Sequence, residues 1–108
     1  MNYSLRLRPE LVDDVHEAFA WYEAAGTGLG HEFLRGYFAA LAIAQREPLL
    51  FQQVYQEFRR VLLKRFPYAL YFRIEGQTVV AFLVIHGARN PKLIKTYLRK
   101  RKRTPDSQ

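Results

Sequence analysis

One histidine and several arginines are the residues in this 108-residue chain best suited to chemistry. His86 ends an apolar run beginning at Thr78, with Arg89 three residues on, while Arg60, Tyr71 and Arg73 fall in segments that alternate like strands. Such a set could cleave RNA without a metal, given a base for the ribose 2′-OH proton, cations for the charge building on phosphate, and an acid for the leaving 5′ oxygen. Arg60, Arg73 and Arg89 suit the second role and His86 the first or third. Spacing does not choose among Glu57, Glu75 and Tyr97 as its partner. His16 and His31 read as surface or boundary residues of helical patterns. There is no HExxH, no GxSxG and no cysteine, and the glycines at 26, 28 and 30 lack the preceding strand of a dinucleotide fingerprint. No metal and no cofactor is expected.

These side chains sit on an uneven distribution of charge. The chain carries 17 Lys and Arg against 10 Asp and Glu, a net +7. Residues 1–91 hold 10 basic and 9 acidic side chains, a net of +1, whereas residues 92–108 hold 7 basic ones against Asp106 alone, a net of +6. That C-terminal block, with Lys92, Lys95 and Arg99 at its start, suits an anionic partner, either nucleic acid or an acidic protein segment; the bland reading is a solvated basic end. At this length one domain buries roughly two thirds of its extended-chain surface, enough for one helix and sheet core without staples. No apolar run reaches the ~18 residues of a membrane span, and the N-terminus has no apolar leader pattern, which predicts a soluble cytoplasmic protein.

The elements that must position the candidate residues follow from periodicity. Residues 2–8 alternate as a half-buried strand, with Tyr3, Leu5 and Leu7 on one side. Pro9 opens a helix whose apolar positions Leu11, Val15, Phe19 and Tyr22 run to Gly26, and a second helix continues through Phe33, Tyr37 and Leu41 to a stop at Pro48. Residues 49–57 fit neither period and read as a loop or irregular strand. Residues 59–65, 68–75 and 78–86 are strands, the last apolar on both faces and so central in the sheet. Its alternation places Val79, Ala81, Leu83 and Ile85 against Val80, Phe82 and Val84. Asn90-Pro91 then caps a short basic helix with the narrow stripe Leu93, Ile94, Tyr97 and Leu98, ahead of a frayed end at 104–108.

The order β-α-α-β-β-β(-α) predicts an α+β domain, a helical hairpin on one face of a largely antiparallel four-stranded sheet. Residues 1–91 form the domain and 92–108 the basic helix and tail. The opposite face then presents Arg6, Arg60, Lys64, Tyr71, Arg73 and His86, half covered, with cations and an exposed tyrosine that suit RNA. Phe82 and Val84 on that face need a cover, from a partner peptide that also enters the groove between the first and second helices, or from the C-terminal helix when no partner is bound.

The stretch LVDDVHEAFAWYEAAGTGLGHEF, the Pro48 stop and RRVLLKRFPYALYFRIEGQTVVAFLVIHGARNP resemble the RelE/ParE superfamily of type II toxin–antitoxin toxins, the plasmid stabilisation proteins, from about Tyr3 to Pro91. The most specific pieces are Trp21-Tyr22 with Gly28 to Phe33, Arg60 with Phe66-Pro67-Tyr68, and His86 with Arg89 and Pro91. The resemblance implies a growth-inhibiting toxin neutralised by a cognate antitoxin in a hetero-oligomer. Members of its RelE-like branch are ribosome-dependent mRNA endonucleases (mRNA interferases), and carry-over would make His86, Arg73 and Arg60 catalytic. Members of its ParE-like branch inhibit DNA gyrase by binding, for which Arg89, Lys92, Lys95, Arg99 and Tyr71 are the target-facing residues. The motif around His86, Arg89 and Pro91 is closer to the ParE-like branch, although Asn90 stands where an acidic residue is common and Leu93-Ile94 where a tryptophan is frequent. A non-toxic nucleic-acid-binding module is the third reading.

Overall fold

Pro9 begins the first helix as its sequence position implies, with its fixed φ supplying a helical start where no N–H is needed. The computed structural model describes residues 2–105. Strand β1 (Ser4–Leu7) leads into α1 (Pro9–Ala25) and α2 (Leu29–Arg46); a single 3₁₀ turn (Pro48–Leu50) then precedes β2 (Gln53–Tyr55), β3 (Phe58–Leu62), β4 (Tyr68–Glu75), β5 (Thr78–His86) and α3 (Pro91–Arg103). The sheet order is β1-β5-β4-β3-β2, with β1 parallel to β5 and every other pair antiparallel.

Glu23 makes the turn between α1 and α2. Its carboxylate accepts from the backbone N–H groups of Gly28 (3.0 Å) and Gly30 (2.9 Å), supplying the cap that α2 lacks at its own N-cap residue. Gly28 holds a φ of +89°, and a Cβ on Gly30 would lie 2.7 Å from Phe19 Cδ1, so both positions need glycine for different reasons. The hairpin buries Leu11, Val15 and Ala18 of α1 with Phe33, Tyr37, Leu41 and Ala44 of α2 against Val61, Leu70, Phe72 and Val79 of the sheet.

Three expectations are corrected. The sheet has five strands, because three of residues 49–57 pair with β3 as β2. Arg59 steadies the approach by donating to the Phe51 carbonyl at 2.6 Å, a bond no local pattern reveals. Next, the alternation of β5 breaks: Tyr71 faces Leu83 while Phe72 faces Ala81, leaving Phe82 as the extra residue of a β-bulge. The bulge reverses the phase, so Val84 joins Val79 and Ala81 under the helical hairpin, and Leu83 and Ile85 join Val80 and Phe82 on the other side.

The third correction concerns that other side, which is not half covered: the C-terminal helix, one of the two covers expected for Phe82, lies across it. Asn90 caps α3 by accepting from the Lys92 N–H at 2.8 Å, and the helix drops Ile94 and Leu98 onto Phe58, Ala69, Tyr71, Val80 and Phe82. Each fully buried aliphatic side chain contributes about 1.5–3 kcal/mol, so this second core holds α3 in place. The frayed tail expected at 104–108 falls only partly within the structure, its last three residues lying outside those described.

Candidate functional site

Because β1 pairs only with Thr78–Ala81, the β5 edge beyond Ala81 has no strand beside it. Side chains from α1 and α3 take up part of that edge. Asp14 accepts from the Val84 N–H at 3.1 Å, and Arg101 donates to the Phe82 carbonyl at 2.8 Å. The two residues also pair in fork geometry, Nη1 to Oδ2 at 2.7 Å and Nη2 to Oδ1 at 2.9 Å. Burial pushes the Asp14 carboxyl above its ordinary value, against the pull of Arg101 and the Val84 N–H. Below them Arg8, buried, donates to the carbonyls of Arg101 (3.0 Å) and Thr104 (2.7 Å), satisfying the C-terminus of α3, and places its guanidinium 5.3 Å from the centre of the Phe82 ring.

A groove of about 720 Å³ opens above this clasp. Its walls are Asp14, Glu17 and Trp21 of α1 and Tyr97 and Arg101 of α3; Leu83 to His86 form the floor and Arg89 one end. Trp21 is 69% exposed, an unusual position for the chain's single tryptophan. Beneath the rim, Tyr22, Phe33, Phe66 and Tyr68 pack edge to face and stacked, making a rigid wall.

The residues proposed for RNA cleavage are brought together only in part: His86, Arg89 and Tyr97 line one groove, while Arg60 and Arg73 lie outside it. His86 stands opposite Tyr68 and Arg73 lies five residues along the same β4 strand, roughly 17 Å away at 3.4 Å per residue. One phosphate cannot touch both. His86 Nδ1 accepts from the Ala88 N–H at 3.0 Å, and its ring packs on Tyr68. Glu57 and Glu75 are committed elsewhere: Arg73 binds them at 2.8 and 2.7 Å, Lys102 reaches Glu57 at 3.0 Å and Arg6 reaches Glu75 at 3.0 Å. Arg73 also lies over Phe82 and Phe58, and so acts as a packing cation. Tyr71, expected on an open face, is 5% exposed beneath α3. Arg60 faces Tyr71 across the β3–β4 ladder but stands exposed.

Arg89, Lys92, Lys95 and Arg99 are all exposed, along the outer side of α3 and the turn before it. Lys95 lies 5.5 Å above the Tyr55 ring, and Arg99 donates to the Tyr55 hydroxyl at 3.1 Å. Among the described residues no group of three or more His, Asp or Glu could hold a metal ion, and no helix is long and apolar enough to cross a membrane.

Compared with solved structures, the chain aligns with a chain of the chromosomal ParDE TA system from P. aeruginosa at a TM-score of 0.70. The fold is the ParDE chain's. The alignment covers 78% of this chain and 95% of the ParDE chain at 15% sequence identity, and bears out the architecture that the resemblance implied. No family model and no curated protein matches the sequence.

The clasp of Asp14, Arg101 and Arg8 and the groove above it escaped the sequence reading. A signal was present, since Arg101 continues the buried spacing of Ile94 and Leu98, and Asp14 lies on the Leu11 and Ala18 face of α1. A charge in a buried register calls for a partner from elsewhere in the chain.

Proposed function

We propose that the chain is the toxin of a type II toxin–antitoxin system, of the ParE-like kind, which arrests growth by binding DNA gyrase in the cytoplasm and is neutralised by a cognate antitoxin. The fold shared with the ParDE chain supports the toxin reading. The observation that carries the ParE-like branch is the separation of His86 from Arg73, with both acidic candidates spent on ion pairs. A binding inhibitor has no need of a shared phosphate site; it needs a rigid surface, and exposed Lys92, Lys95 and Arg99 on the anchored α3, with Arg89 in the turn before it, suit one.

In this reading the antitoxin segment lies in the groove between α1 and α3, with Trp21 as its aromatic anchor and the open β5 edge offering backbone groups to an extended chain. Inducing the protein without antitoxin tests the mechanism. The expected result is accumulated DNA breaks with intact messages, and growth arrest that survives His86→Ala. Early loss of messages with supercoiling unchanged would refute it in favour of an mRNA endonuclease.

A further inference from the structure

Helix α3 contains seven cations and no acidic residue. Two of the seven are neutralised on the side facing the domain, Arg101 by Asp14 at 2.7 Å and Lys102 by Glu57 at 3.0 Å. The other five, Lys92, Lys95, Arg99, Lys100 and Arg103, are exposed, and among the described residues no carboxylate pairs with them. Lys92, Lys95, Arg99 and Arg103 form a single row opposite Ile94 and Leu98, about 16 Å long at 1.5 Å per residue. The row is preorganised, because the second core and the clasp at Arg101 fix the helix beneath it.

We propose that this row is a duplex-DNA backbone site. A helix of ~10–12 Å diameter matches a major groove about 12 Å wide, and a duplex carries one negative charge per ~1.7 Å along its axis. Single strands are held by stacking on exposed aromatics; here Tyr97 and Tyr55 are half-buried and the outward row is Lys, Thr and Arg alone. An acidic peptide needs an apolar pocket or a free strand edge for its anchor, and both belong to the groove lined by Tyr97 and Arg101, on the other side of α3 from this row. Phosphates are held by charge. The proposal rests on the reading of α3 as the target-facing surface and adds that the surface meets DNA itself.

The test is fluorescence anisotropy on the full chain with a short labelled duplex, an oligothymidine of the same length and a polyglutamate peptide. With about four phosphate contacts at a slope near −0.9 each, duplex affinity should fall roughly 150-fold between about 50 and 200 mM salt. Lys92→Gln/Lys95→Gln/Arg99→Gln should remove about three contacts and most of that slope, while Arg35→Gln/Lys64→Gln, away from α3, should leave it unchanged. If the triple variant does not hold the wild-type circular dichroism, Lys92→Gln/Arg103→Gln replaces it and should lower the slope by nearly 2. Equal loss in the Arg35/Lys64 variant, preference for oligothymidine or polyglutamate, or no duplex binding overturns the proposal. Growth arrest by a chain that binds no duplex overturns this inference alone, and duplex binding without growth arrest refutes the toxin reading alone.

Discussion

Arg101→Met should loosen α3 from the domain. The substitution keeps a long apolar stem but removes both bonds to Asp14 and the bond to the Phe82 carbonyl. Breaking a buried ion pair costs about 3–5 kcal/mol, and an orphaned buried carbonyl about 1–3 kcal/mol. Each member of the pair keeps 15% side-chain exposure, so water recovers part of this and the lower end, about 3 kcal/mol, is expected. In a domain of this size that corresponds to a fall in Tm of roughly 12 °C or more. Hydrogen exchange should place the greatest loss in α3 and in Phe82 to Val84. Asp14→Asn/Arg101→Met removes the stranded charge as well, and should therefore be more stable than Arg101→Met alone. A cost below about 1 kcal/mol, the range of an exposed pair, would refute the clasp as a stabilising device.

Gly30→Ala should cost about 1–3 kcal/mol in thermal denaturation, because its Cβ would press on Phe19 and on Glu23 Oε1, 2.9 Å away. Glu23 should shape the acid limb of stability: N–H bonds from Gly28 and Gly30 hold its carboxyl below its ordinary value, so its contribution is present above about pH 4.5 and lost as the pH falls through the folded-state value. Urea midpoints of Glu23→Gln across that range should be flatter than those of the wild type. Asp14 runs the other way, its raised value making its ionisation a cost as the pH rises through it, so Asp14→Asn should steepen the acid limb. Trp21→Ala should leave Tm nearly unchanged, since the ring is mostly exposed, yet weaken antitoxin binding by about 2 kcal/mol in calorimetry; unchanged affinity would remove Trp21 as the anchor.

Much of the architecture was legible in local pattern. The order of helices and strands, Pro9 and Asn90-Pro91 as helix starts, and the central place of the doubly apolar β5 follow from periodicity and capping, which depend on residues a few positions apart. The short β2 was legible only as a loop or irregular strand, because three residues acquire strand character only by pairing with β3. The candidate site was read least well. Arg60, Arg73, Tyr71 and His86 were taken to share an open face, and alternation carries no information about what covers a face or how far along a strand two residues lie.

The sequence alone therefore determined the elements other than β2, the central place of β5 and the concentration of positive charge at the C-terminal end, since composition and short-range spacing suffice for each. Only the tertiary structure decided which charges remain available. It spends Arg73 on Glu57 and Glu75, and Arg101 on Asp14 across 87 residues of chain, and it leaves Lys92, Lys95 and Arg99 facing outward. The bulge at Phe82 belongs to the same class, because its phase reversal is set by pairing with β4 and appears in no pattern within β5 itself. Charge neutralisation and strand register are properties of residues brought together by the fold, and separation along the chain does not encode them.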